Sequence, residues 1–139
     1  MNISELLSDL VVHYNAIVRH VASSLGLTKS QALHLISIPH DGISMSRLSH
    51  RLGLDASTLT RNIQKLEKMG LVERSSGSYD KRVQNIFLSH QGKEIVEKIE
   101  DILLYKNQTI MEQISLEGQE HVSDVLEKLI WAMDCAKEE

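Results

Sequence analysis

Aromatic residues are scarce in this chain, with one Trp, one Phe and three Tyr among 139 residues. The core is therefore expected to be aliphatic. A single cysteine, Cys135, excludes an internal disulfide and suits a reducing compartment. No apolar run approaches the roughly 18 residues of a membrane span, and no basic-then-apolar leader opens the chain. A cytoplasmic protein with no membrane partner is the expectation. What is present in quantity is aliphatic: 42% of residues are hydrophobic, enough for a real core in one domain of this length.

The net charge of −4 hides an asymmetry. Between Gly42 and Lys93 lie the cations Arg47, Arg51, Arg61, Lys65, Lys68, Arg74, Lys81, Arg82 and Lys93. The anions there are Asp55, Glu67, Glu73 and Asp80, so nine cations against four anions leave +5 in the middle and −9 in the flanks. A polyanion would be drawn to the centre and repelled by the ends.

Periodicity divides the chain into helices. Ile3, Leu7, Leu10, Tyr14, Ile17 and Val21 alternate steps of four and three, a heptad seam that Gly26 stops. "TKSQ" at 28–31 has capping-box spacing and opens a second, largely apolar helix that Pro39 closes. "DGIS" at 41–44 reads as a turn, with Ser44 capping a short third helix (Met45, Leu48, Leu52 inward) that Gly53 ends. Asp55 or Ser57 caps a fourth helix with Leu59, Ile63 and Leu66 inward and Gly70 at its end. So short a connection makes a helix-turn-helix. Leu71–Ser75, a turn at Gly77 and Val83–Leu88 predict a two-stranded ribbon tipped by Asp80, Lys81 and Arg82. Ser89 caps a long fifth helix, and Ser115 begins a sixth carrying Val122, Val125, Leu126, Leu129, Ile130 and Met133. The fold class is mostly α with a small β ribbon. The first seam and the last helix carry more apolar surface than one small protomer needs, so they are expected to pack against a second copy.

Burying Leu59, Ile63 and Leu66 turns Ser57, Thr58, Arg61, Asn62 and Lys65 outward along one helix face. The types suit a DNA major groove: Arg reads guanine bidentately, Asn reads adenine, and Ser or Thr meets phosphates or bases. An ordinary solvated face has the same composition. The preceding helix and the following basic hairpin favour the DNA reading.

"LTKSQALHL", "SMSRLSHRLGLDASTLTRNIQKLEKMGLVER", "YDKR" and "LSHQGKEI" together resemble the winged helix-turn-helix regulators of the multiple-antibiotic-resistance (MarR) type. The resemblance runs at motif level from Leu27 to Ile95, and its most specific parts are the run ending in "LEKMGLV" and the Asp-x-Arg of Asp80 and Arg82. It implies one MarR-type domain over residues 1–139, with a DNA-binding lobe at 27–93 and dimerisation helices at 1–26 and 94–139. It further implies a homodimeric regulator, by the family's habit a repressor, on a pseudo-palindromic operator. Ser57, Thr58, Arg61 and Asn62 fall on the family's recognition-helix contacts. Arg82 falls on the wing's minor-groove arginine, with Asp80 as the acid that orients it and Lys81 beside it. No cofactor is implied beyond a small apolar effector bound where the dimer helices meet the DNA-binding lobe.

Other readings carry less. Seven histidines (His13, His20, His34, His40, His50, His90, His121) include no short ligand pair with a carboxylate or thiol alongside, and most read as surface or cap residues. A metal-responsive regulator stays an alternative, since histidine sites can assemble across a dimer. The first helix has no cysteine, which argues against thiol sensing there. Trp131 and the methionines read as core or dimer filler. No phosphate loop, nucleophile–base pair or acid/base carboxylate pair points to an enzyme. A helical protein-interaction module that lost DNA binding is the rival from another class, and loss of the basic face would be its mark.

Overall fold

The computed structural model describes residues 1–76 and 83–137. The elements are α1 (Ile3–Ser24), α2 (Lys29–Ile36), β1 (Ile43–Ser44), α3 (Met45–Leu52), α4 (Ala56–Lys68), β2 (Val72–Ser76), β3 (Gln84–Leu88), α5 (His90–Met111) and α6 (Leu116–Ala136). The fold is a winged helix framed by three further helices.

Local chemistry sets most helix starts. Asn2 with Glu5, and Thr28 with Gln31, form reciprocal capping boxes that satisfy orphan N–H groups at the first turns of α1 and α2. Ser44, Asp55, Ser89 and Ser115 each accept from a backbone N–H three residues on, opening α3, α4, α5 and α6. Gly53 ends α3 with φ +66°, a left-handed conformation that costs a Cβ-bearing residue about 1–2 kcal/mol.

The sheet is antiparallel in the order β1-β3-β2. "DGIS", expected to be a turn only, contributes the third strand: Ile43 pairs with Ile86 and Ser44 with Asn85. Two residues cannot show a period of two, but burial explains the pairing, because Ile43 and Ile86 are both buried. Gly42 makes room for it, since a Cβ there would lie 2.5 Å from the Phe87 ring. Val83 falls outside β3 and is exposed, consistent with its broken alternation.

The core is aliphatic and lies where the lobe meets α1 and α5. Its best-buried members include Val18 and Val21 of α1, Leu35 of α2, Leu48 of α3, Leu59, Ile63 and Leu66 of α4, Ile86 of β3 and Ile99 of α5. The seam of α1 is split. Val21 is buried and Ile17 half-buried, whereas Ile3, Leu10 and Tyr14 are exposed. α6 buries no residue at all, leaving Ile130 66% and Trp131 72% exposed.

Candidate nucleic-acid interface

Helix α4 is held by its inner face and presents the other. Leu59, Ile63 and Leu66 are each at most 1% exposed, and their spacing turns Ser57, Arg61 and Lys65 into solvent, with Thr58 and Asn62 half-buried at the margin. Of the two expected candidates for the N-cap, it is Asp55 and not Ser57. Its carboxylate accepts the Thr58 backbone N–H at 2.7 Å and the Ser57 hydroxyl at 2.8 Å. The Thr58 amide bond, then the Ser57 hydroxyl, hold its pKa down from 3.8 to about 2, and the Arg61 guanidinium adds a smaller pull the same way. An anion at this end also matches the helix dipole.

These bonds alter what two expected contact residues can offer. With its proton spent on Asp55, the Ser57 hydroxyl can only accept. Thr58 Oγ1 lies 3.5 Å from Arg61 Nη2, at the edge of hydrogen-bonding range, so Arg61 is lightly steered along the face and otherwise free. Lys65 is exposed one turn further on. Asn62 is not a freely solvated side chain: its Nδ2 donates to His34 Nε2 of α2 at 3.1 Å.

Arg47, Arg51 and Lys68 are exposed around the same lobe, extending the cationic surface. Arg74 is different, for its guanidinium pairs with Glu67 at 2.7 Å and joins the last turns of α4 to β2. The ribbon leads from Ser76 to Gln84, which are register partners. Its expected tip, with Asp80, Lys81 and Arg82, lies outside the described residues.

His34 was the residue missed by sequence reasoning. Most of the seven histidines are expected at the surface or at caps, and His34 is an exception at 3% exposure. The available signal was its place between Leu33 and Leu35 on an apolar helix. Among the described residues no three His, Cys, Asp or Glu side chains gather as a metal site, Cys135 is exposed, and no helix is long and apolar enough to cross a membrane.

The helix-turn-helix and ribbon can be compared with known proteins. The MarR family model matches residues 27–83, from just before α2 to just before β3. A MarR protein from Peptoclostridium difficile is 28% identical with a TM-score of 0.84, covering 99% of this chain and 90% of its own. Residues 27–83 are thus similar to the MarR family, and the whole chain is similar in fold to a MarR protein. MarR from E. coli, in its wild-type apo form, is 23% identical with a TM-score of 0.79, covering 93% of this chain and 96% of its own. The complex of S. aureus MepR with DNA is 22% identical with a TM-score of 0.77, covering 95% and 98%. Because these matches span nearly the whole chain, α1, α5 and α6 share the MarR fold along with the lobe. The architecture is that of the winged-helix MarR structures.

Proposed function

We propose that the chain is a homodimeric, sequence-specific DNA-binding regulator that represses from a pseudo-palindromic operator. The observation that carries this reading is the outer face of α4, where Ser57, Arg61 and Lys65 stand exposed opposite a fully buried Leu59–Ile63–Leu66 seam. A helix so presented fits a major groove, where Arg61 reads guanine and Lys65 meets phosphate. The ribbon, with Lys81 and Arg82 at its tip and Asp80 orienting Arg82, enters the adjacent minor groove, whose negative potential attracts arginine. That a protein of similar fold, MepR, has been solved in complex with DNA supports DNA as the partner.

Dimerisation is supported by the unpartnered apolar surface on the first half of α1, the end of α5 and all of α6. These helices, 1–26 and 94–139, form the dimer body, and residues 27–93 form the DNA-binding lobe. A small apolar effector bound where the two meet favours a spacing of the α4 helices that no longer matches successive grooves. An open cleft of about 420 Å³ at the α1–α2 junction is lined by Asn15, Ala16, Arg19, His20, Ser23 and Lys29.

Selection of bound sequences from a random DNA pool tests the whole reading. An enriched palindrome is expected. A chain that recovers no sequence would leave the interaction-module reading in its place.

A further inference from the structure

His34 is the one polar side chain buried among the described residues, at 3% exposure. Its Nδ1 lies 2.6 Å from the Ser30 carbonyl oxygen, an atom that can only accept, so Nδ1 carries the proton. In the neutral imidazole Nε2 is then bare, and it accepts from Asn62 Nδ2 at 3.1 Å. Both ring nitrogens are satisfied, and a bond joining residues 28 apart connects α2 to the outer margin of α4. Asn62 is half-buried and, with Lys65, Thr28, Ser30 and Gln31, lines a cleft of about 140 Å³ between the two helices.

We infer that His34 is a positioning residue for base readout, fixing the direction in which the Asn62 amide faces. This rests on the proposal that α4 reads DNA. An asparagine amide reads adenine by accepting from N6 and donating to N7, so its oxygen and nitrogen must not exchange places. The two ends are nearly equal in size, and an unheld amide flips between them. A bare Nε2 accepts and cannot donate, so it takes an Asn62 N–H and excludes the flipped state, in which two acceptors would meet. One N–H is spent on His34. The other N–H and Oδ1 remain, and they are the pair adenine needs. Burial of the imidazole strengthens the lock, because breaking it would leave Nε2 unsatisfied away from water.

The test measures affinity for the selected operator and for versions changed at each half-site position, using the full chain and its variants. A good bidentate contact discriminates by roughly 5- to 150-fold. Asn62→Leu identifies the position that Asn62 reads. His34→Leu is expected to lower discrimination at that same position about fivefold or more, as loss of one hydrogen bond would. In the Asn62→Leu background it should have no further effect there. His34→Gln supplies both a donor and an acceptor at similar reach and is expected to restore the preference, which a role in packing alone would not produce. Discrimination unchanged in His34→Leu, or lowered equally with and without Asn62, overturns the inference. A wild-type chain with no sequence preference would instead remove the DNA reading, and the inference with it.

Discussion

Arg74 on β2 and Glu67 on the last turn of α4 are joined by an ion pair of 2.7 Å, both side chains half-buried. The pair clamps α4 to the base of the ribbon and takes one cation out of the field that DNA would meet. Glu67→Gln is expected to cost at most about 1 kcal/mol of stability, since such pairs are solvent-screened. It should also strengthen DNA binding at low salt by releasing Arg74. A dimer making roughly 6–10 phosphate contacts loses about 10³–10⁵ in affinity between 50 and 200 mM salt, and each added contact steepens the log–log slope by about 0.9. Binding measured across that range shows whether the slope steepens; an unchanged slope would mean Arg74 stays off the backbone.

The Asp55 cap ties the integrity of α4 to acid pH. Its carboxyl is held at about 2 in the folded chain against 3.8 ordinarily, chiefly by the Thr58 N–H and the Ser57 hydroxyl. A group depressed in the folded state contributes stability that is fully present above about pH 4 and is lost as pH falls through about 2. Asp55→Asn keeps a capping oxygen but cannot titrate, so its stability should vary less between pH 4 and pH 2 than that of the wild type. Asp55→Ala should lower Tm at neutral pH. Thermal melts across pH 2–6 check both.

Assembly can be tested on the exposed helices without disturbing the protomer. Removing residues 1–22 would strip Val18, Val21 and Ala22 from the core, so loss of dimer in that truncation would be ambiguous. Leu10→Glu and Trp131→Glu change side chains that are 52% and 72% exposed. An unpaired charge buried at an interface costs about 3–5 kcal/mol, which raises the dimer Kd more than about a hundredfold. Light scattering at micromolar concentration should show a wild-type dimer and variant monomers with intact helical content. A wild-type monomer would sink the dimer proposal.

Helix and ribbon should fail in different ways. Arg61→Ala is expected to relax preference at one symmetric position of each half-site by about 1–3 kcal/mol. Arg82→Ala should weaken every A·T-flanked operator while leaving the central preference nearly unchanged, and Asp80→Ala should do the same more weakly. Binding to operators mutated singly in core and flanks separates these outcomes. If Arg82→Ala shifted core preference while Arg61→Ala lowered affinity uniformly, the groove assignments would be reversed.

Much of this architecture is written locally, and the locally written part was legible. Thr28 with Gln31, Ser44, Asp55 and Ser89 open their helices through bonds three residues long. The inward triplet of α4 follows from spacing alone. Two features escaped for one shared reason: their partners are far away in the chain. Ile43 becomes a strand because Ile86 lies beside it, and nothing near residue 43 says so. Asn62 looks like an outward residue until His34, on another helix, takes its N–H. The seam of α1 mixed two environments, because a heptad does not say which of its residues face the protomer's own core and which face outward. Val21 took the first and Leu10 the second.

Ser44 is at once the last residue of β1 and the N-cap of α3, whose hydroxyl receives the Arg47 N–H at 3.2 Å. No slack residue separates sheet from helix there. A load placed on the sheet through β3 would therefore pass by way of β1 to the first turn of α3 with no loop between to absorb it.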